Sequence, residues 1–573
     1  MCIRHLALGL VALAVSACSS NDEPAFTPVA ADDLARTIGQ GELIGFETET
    51  GAAGWMAIPY AAPPVGELRW RAPRPPVAFE SRLEALEAGP VCPQVTNNLS
   101  AGDLYETGVL IGAEDCLTLD IYAPRDAAPG DNLPVMMWIH GGANVWGSSS
   151  AYDGSNLANQ QGVIIVSVQY RLGPLGFLAH PALRADPGLP DDAAANFALL
   201  DLVAALHWTS GNIETFGGDA GRVTVFGESA GAFNISGLMA APQARGLFHR
   251  AIMQSGGTGS VPLDVAEQGD ERGRVAGLAA GLAIAGEAAD GTALRAASLE
   301  AVYAAYRDES GELTSLPTMI EDGVTLREGG ILAAAEDPDG FAPVPLITGT
   351  NRDEMKLYTV FNPQLTRRLG PLIWLRDRDA YEAASEYPSR NWRHNAVDGL
   401  LDRLAANGRS DIWAYRFDWD EGGSVLMTDT GELLGASHAM EIPFVFSHFE
   451  LFGSFDSVLF NDRNEVGRVD LADTMGAYWA HFAASGEPGD GIGMGPDWPQ
   501  WTDAGAALRF DTRDGGGTEV ISLRESPLSI ASDLAVDDRV SDAQRCRIAR
   551  GMTLSQPELF DVFDGVLNCP ARQ

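Results

Sequence analysis

Arg222-Val-Thr-Val-Phe-Gly-Glu-Ser-Ala-Gly231 decides the fold. Val223 to Phe226 is a β-branched and aromatic run, and Ala230 to Met239 is a helix candidate built from small residues. Between them lies Gly227-Glu228-Ser229-Ala230-Gly231, a G-x-S-x-G turn. Strand, sharp turn and helix is the setting in which such a serine is lifted clear of the backbone. Glycine at 227 and 231 removes Cβ atoms where the chain folds back. The helix start beneath Ser229 offers unpaired N–H groups and a partial positive charge.

Outward from this turn, Leu133–Ile139, Val163–Val168, Ala251–Met253 and Val344–Thr348 are short, nearly continuous apolar runs, and Ile412–Phe417 is a late strand. Runs of this kind suit strands buried on both faces of a parallel sheet. Ala193–Trp208 has helical apolar spacing, and residues 259–340 read as helices packed outside the sheet. Alternating strands and helices predict an α/β fold, with a mostly parallel central sheet flanked by helices. Gly41–Glu47 and Gly54–Pro59 read as early strands, and the Pro-rich stretch from Pro59 to Pro76 as a rigid wrap.

A serine hydroxyl needs a base, a carboxylate to orient the base, and donors for an oxyanion. Donors are expected from His140-Gly-Gly-Ala-Asn144, directly after a strand, together with the Ala230 N–H. Four histidines lie beyond residue 354. His394 reads as surface, and His448 and His481 suit packing. His438, in the loop Gly435–Phe444, is where a base would hang. For the acid, Asp353 and Glu354 are adjacent at a strand end, and spacing does not separate them.

The ends of the chain and its charge set the context. Arg4 and His5, then the apolar Leu6–Val15, read as a secretory signal over residues 1–17. Small residues before Cys18 resemble a bacterial lipoprotein signal, which implies lipidation of Cys18 and a periplasmic or outer-membrane location; the alternatives are ordinary signal cleavage with Cys18 incidental and an extracellular location. Residues 18–36 are expected to be a flexible tether, 37–535 one large domain with helical insertions, and 536–573 an appendage. After the first twenty residues no apolar run is long enough to span a bilayer. The only membrane contact expected is therefore the N-terminal lipid. With 78 acids against 38 bases the net charge is −40, and Lys356 is the only lysine. A field of that sign repels phosphate backbones and argues against nucleic acid as a partner. Setting aside Cys2 and Cys18, four cysteines allow three pairings. The local pairs Cys92–Cys116 and Cys546–Cys569 are expected, each stabilising by about 3 kcal/mol in the chain-entropy model; the alternative is free buried thiols.

Taken together, Ile58–Arg69, Glu114–Tyr122, His140–Ala143, Gln169–Leu178, Phe216–Gly231, Met253–Gly256, Gly349–Glu354 and His438–Phe444 resemble, in order, the type-B carboxylesterase/lipase family. This is the cholinesterase-like branch of the α/β hydrolases. The resemblance covers roughly residues 38–510 and implies the α/β-hydrolase fold. It implies Ser229 as nucleophile, Glu354 rather than Asp353 as the acid, and His438 as base. The implied oxyanion donors are Gly142, Ala143 and Ala230. It also implies the Cys92–Cys116 disulfide and structural ion pairs Arg69–Glu114 and Arg171–Asp201. Glu228 resembles an acid that tunes the site; Ser255 and Glu441 are expected to support the triad. Residues 93–115 hold no tryptophan, so the aromatic face that draws choline is missing there, and Tyr105 is that segment's single aromatic. The segment between Glu354 and His438 is short for the family.

The expected activity is hydrolysis of a small-molecule carboxylic ester through an acyl-enzyme, with no metal or cofactor. Amides, carbamates and lipid esters are alternative substrates of the same triad, and a non-catalytic binding or adhesion relative is an alternative of another class. Activity is expected to fall below about pH 6–6.5, the ordinary range of a histidine.

Overall fold

The computed structural model describes residues 26–569, apart from 98–106, 186, 271–273, 308–312, 314–315, 370–371, 426–427 and 557–558. The signal segment, Cys18 and Tyr105 lie outside the described residues. Twelve strands form the path of a thirteen-stranded sheet. They are β1 (Ala30–Ile38), β2 (Gly41–Glu47), β3 (Ala53–Pro59), β4 (Thr118–Ala123), β5 (Leu133–Ile139) and β6 (Ile164–Val168), then β7 (Gly218–Glu228), β8 (Arg250–Gln254), β9 (Leu346–Asn351), β10 (Ile412–Phe417), β11 (Ala506–Phe510) and β12 (Glu519–Ser522). Their spatial order is β1-β2-β3-β4-β6-β5-β7-β8-β9-β10-β11-β12, and the two-residue strand Leu83–Glu84 pairs with β2 off this path.

From β6 to β11 every neighbouring pair is parallel. The wings β1–β4 and β12 pair antiparallel. The parallel strands are the apolar runs of the sequence, because helices cover both of their faces. On one face α1 (Phe197–Asn212) and α2 (Ala230–Ala240) bury Leu199, Leu202, Leu206, Ile235 and Leu238. On the other, α4 (Glu465–Ser485) buries Leu471, Met475, Trp479 and Phe482. The register is level at the carboxyl ends: Gly227 stands beside Ile139, Glu228 beside Gln254, and Gln254 beside Gly349. The loops leaving β5, β7, β8 and β9 therefore open at one edge, the place where α/β sheets bind ligands.

Three expectations change. The stretch read as a tether contains most of β1, which pairs with β2 at the sheet edge. Its sequence, Ala-Ala-Asp-Asp-Leu-Ala-Arg-Thr-Ile, is polar because an edge strand needs few inward side chains. Only Leu34 and Ile38 are buried, and the Leu34 carbonyl accepts from the Trp55 indole at 2.9 Å. The appendage also begins before residue 536. α5 (Pro527–Val536), α6 (Asp542–Ser555) and α7 (Phe560–Leu567) share one apolar cluster, in which Ile530, Ala531 and Leu534 of α5 are fully buried. The boundary at 535/536 would cut α5. His394 is half-buried, its Nδ1 3.0 Å from the Glu525 carbonyl, instead of lying on the surface.

Both expected disulfides are present, Cys92–Cys116 and Cys546–Cys569. Arg69 meets both oxygens of Glu114 at 2.6 and 2.5 Å. Arg171 meets both oxygens of Asp201 at 2.8 and 2.7 Å.

Candidate active site

β7 ends at Glu228, and Ser229 turns the chain into α2 with φ 54° and ψ −123°. This left-handed conformation is costly for a side chain with a Cβ, and such strain gathers at functional turns. Ala143 (φ 54°), Asn144 (φ 60°), Ser255 (φ 51°) and Ala439 (φ 69°) share it, so five strained residues surround one spot. The turn fits only because Gly231 carries no side chain: a Cβ there would run into the Ile139 carbonyl. Between Val223 and Ala240 only Ser229 and Phe233, one helical turn apart, escape full burial.

The loop after β5 packs directly on this elbow. A Cβ on Gly141 would stand 3.2 Å from Ser229 Cβ. Gly142 sits at φ 101°, where a Cβ would strike the Trp146 carbonyl. Among the described residues, no acceptor is bonded to the N–H of Gly142, Ala143 or Ala230. Asn234 of α2 donates to Asn144 Oδ1 at 2.9 Å and fixes the loop to the helix behind Ser229. The Gly173 N–H donates to the Asn144 carbonyl at 2.6 Å, and Tyr170 Oη to the His140 carbonyl at 2.7 Å. Gln94 clamps the far end, exchanging two 2.9 Å bonds with the backbone of Gly147.

Glu354 and His438 meet: Nδ1 lies 2.6 Å from Glu354 Oε2. The other oxygen, Oε1, accepts from Ser255 Oγ at 2.5 Å and from the Asn351 N–H at 2.8 Å. Asp353 turns the opposite way, to Arg352 at 2.7 Å, Lys356 at 3.6 Å and the Ala436 N–H at 3.2 Å. The pair of acids that spacing left open is thus divided by geometry. His438 Nε2 lies 3.1 Å from Glu228 Oε1 and makes no hydrogen bond, to Ser229 or to any other described residue. Glu441 accepts from Asn351 Nδ2 at 2.6 Å and from Gln254 Nε2 at 3.3 Å.

Three buried glutamates therefore face one buried imidazole. Burial lowers the pKa of His438, but the negative charges of Glu228 and Glu354 outweigh it and raise it to about 9. Burial raises Glu228 well above the ordinary carboxylate range and Glu441 to about 7. A base with this raised pKa is expected to place the acid limb of activity above the range of an ordinary histidine. His140, stacked on Tyr170 with centroids 4.4 Å apart, is pushed down to about 4 by burial and stays neutral.

Sequence reading missed the residues that hold these parts. Asn234 carried a signal, a polar amide in a helix otherwise of small and apolar residues. Trp392 and Tyr358, whose rings lie 4.6 and 5.8 Å from the His438 ring, carried none. Among the described residues no group of three or more His, Cys, Asp or Glu could hold a metal ion.

Residues 32–396 match the Carboxylesterase family. The chain is 34% identical over 523 residues to the fumonisin B1 esterase of Sphingopyxis macrogoltabida, covering 86% of this chain and 89% of that protein. It is 35% identical over 471 residues to the para-nitrobenzyl esterase of Bacillus subtilis, covering 77% and 88%. The carboxylesterase EST55 of Geobacillus stearothermophilus, a crystal structure, superposes with a TM-score of 0.65 at 31% identity, over 85% of this chain and 97% of that one. With the α/β-hydrolase sheet, the strained Ser229 elbow and the Glu354–His438 pair on one edge, the chain belongs to the carboxylesterase family and is a carboxylic ester hydrolase.

Proposed function

We propose that Ser229 is the nucleophile, His438 its base and Glu354 the orienting acid of a serine carboxylesterase acting on small-molecule esters. The observation that carries the reading is the 2.6 Å bond from His438 to Glu354 beside a serine held in a left-handed turn. As a carboxylate, Glu354 obliges Nδ1 to carry the proton and leaves Nε2 as the acceptor. Ser229 Oγ attacks the ester carbonyl as its proton passes to Nε2. The imidazolium so formed is stabilised by Glu354 on one side and Glu228 on the other. The tetrahedral oxyanion takes its hydrogen bonds from the N–H groups of Gly142, Ala143 and Ala230. The C–O bond to the alcohol breaks as Nε2–H protonates the leaving oxygen. Water then repeats the two steps on the acyl-enzyme and frees the acid. Ser255 and Glu441 support the triad, the first through Glu354 and the second through Asn351. The missing Ser229–His438 hydrogen bond fits a site that tightens when substrate enters.

Ser229→Ala is expected to lower kcat on an aryl ester by about 10⁵–10⁶-fold and to abolish labelling by an organophosphate probe. Hydrolysis at the wild-type rate would remove the assignment.

The segment ahead of the described residues is read as a lipoprotein signal, with Cys18 as the lipidated residue of an exported, membrane-anchored enzyme. Supporting this are the apolar Leu6–Val15, the small residues Ser16 and Ala17, and two disulfides of a kind that oxidising compartments sustain. Cys18→Ser is expected to move the protein from the membrane to the soluble fraction.

A further inference from the structure

One helix, α3 (Arg378–Arg393), touches His438 and the residues that follow Glu354 and Ser255. Ser389 Oγ accepts the N–H of Met355, the residue after Glu354, at 3.0 Å. Glu382 stands 3.2 Å from the ammonium of Lys356, one position further on. Trp392 lies against His438 and donates its indole N–H to the Gly256 carbonyl at 3.1 Å. Gly256 follows Ser255, whose hydroxyl donates to Glu354. Tyr358 stacks near-parallel on Trp392 at 6.3 Å and completes an aromatic cover over the imidazole.

The outer face of α3 is fastened elsewhere. Arg390 reaches both oxygens of Glu525 at 2.9 and 3.0 Å and Asp533 at 2.6 Å. Tyr387 Oη donates to Asp537 at 2.8 Å and Asn391 to Gln556 at 3.1 Å. Ala383 and Tyr387 enter the apolar cluster of α5, α6 and α7. The Cys546–Cys569 disulfide ties α6 to the residues just past α7. The helix has little support of its own, because Pro388 interrupts its interior and removes a backbone donor. A sixteen-residue helix with such a break relies on what packs against its two sides.

We propose that Trp392 is a positioning residue for the base, and that the C-terminal helices α5–α7 are the brace that keeps it in place. This rests on His438 being the base. The indole excludes water from one ring face and confines the imidazole to the plane in which Nδ1 meets Glu354. Its own N–H is spent on a partly buried carbonyl, so it cannot turn away without stranding that acceptor. The appendage, far from the reacting atoms, thereby becomes part of the esterase.

The test uses the full chain, p-nitrophenyl acetate as probe, and three variants. Trp392→Phe keeps a ring and loses the N–H; Arg390→Met loosens only the brace; Ser229→Ala is the control for the triad. Trp392→Phe is expected to lower kcat about tenfold, as small misplacements do, with a smaller change in KM. Its acid limb should move to lower pH, since water admitted beside His438 screens the glutamates that raise its pKa. Arg390→Met should move both quantities the same way by about a third as much on a logarithmic scale. A protonated imidazole quenches an indole in contact with it. Wild type and Ser229→Ala should therefore show a pH-dependent step in tryptophan emission that Trp392→Phe lacks. A folded Trp392→Phe with wild-type kcat and pH profile would overturn the positioning role, and an unchanged Arg390→Met would overturn the brace. If Trp392→Phe folds poorly, absence of the emission step in wild type overturns the contact. Residual full activity in Ser229→Ala would instead bring down the triad reading beneath both.

Discussion

Two buried groups of charge in this molecule, Arg171–Asp201 and the glutamates around His438, are built on opposite plans. Arg171 and Asp201 meet fork to fork, with side chains 3% and 0% exposed. The Arg171 backbone N–H adds a third bond to Asp201 at 3.0 Å, and a further guanidinium N–H reaches the Arg71 carbonyl at 3.0 Å. One positive charge answers one negative charge. Around His438 the count does not close: Glu228, Glu354 and Glu441 are all buried beside a single imidazole. A balanced pair fixes two elements at one geometry. In the proposed mechanism, an unbalanced cluster raises the proton affinity of His438, which serves a group that accepts a proton as the serine gives up its hydrogen. The same low dielectric serves both: it sustains one neutralised pair at Arg171–Asp201, while around His438 it raises Glu228 and Glu441 as well as the histidine, so more acids share protons than one imidazole can neutralise.

That contrast can be broken from either side. The largest expected effect is at the acid: Glu354→Gln keeps the shape but loses the charge that fixes the tautomer and stabilises the imidazolium. A drop in kcat of about 10⁴, some 5.5 kcal/mol, is expected, with the thermal midpoint little changed. Next in size is the balanced pair. Arg171→Met leaves the buried Asp201 without an opposite charge, held only by the backbone N–H of residue 171, and should cost about 3–5 kcal/mol of stability. Thermal unfolding should show it as a lowered midpoint, while kcat of the folded fraction stays close to wild type. The double variant Arg171→Met/Asp201→Leu should recover much of the loss, because no stranded charge remains. If Glu354→Gln acted through stability and Arg171→Met through kcat, the division drawn here would be wrong.

The sequence made the sheet readable where physics is local. Leu133–Ile139, Val223–Phe226 and Ile412–Phe417 are apolar because both faces of a parallel strand are covered, and each is a strand. The elbow is readable because a tight turn demands glycines at fixed offsets. What stayed hidden depends on partners distant in sequence. Asp353 and Glu354 are neighbours in one loop, and only the positions of Arg352, Lys356 and Ala436 send one away and leave the other on His438. β1 escaped because an edge strand needs few apolar residues, and acidic residues there look like a linker. Trp392 sits in a polar helix interrupted by proline, with nothing nearby to tell a packing tryptophan from one laid over an imidazole. The pH dependence read from the sequence took His438 as an ordinary imidazole for the same reason, since Glu228, Glu354 and Glu441 converge only in the fold.

Glu228 offers the finest test of the comparison, because it touches the base without being needed to fix the tautomer. Its Oε1 lies 3.1 Å from His438 Nε2, and its charge is a main cause of the raised histidine pKa. Glu228 and His438 titrate as a pair, and Glu228→Gln keeps the volume and removes the ionisable partner, so the imidazolium loses stabilisation and the histidine pKa falls toward 6.5. The acid limb of kcat/KM should then move to lower pH by about one unit, within the range for one opposite charge at this distance. One unit corresponds to about 1.4 kcal/mol, and the same loss of imidazolium stabilisation should lower the high-pH plateau. At pH 6 the two changes oppose each other, so a single-pH assay would report little, and a full profile on one aryl ester is the measurement required. An unmoved limb with a lowered plateau would mean that Glu228 shapes the pocket without acting on the charge of the base. The raised pKa of His438 would then come from Glu354 and Glu441 alone.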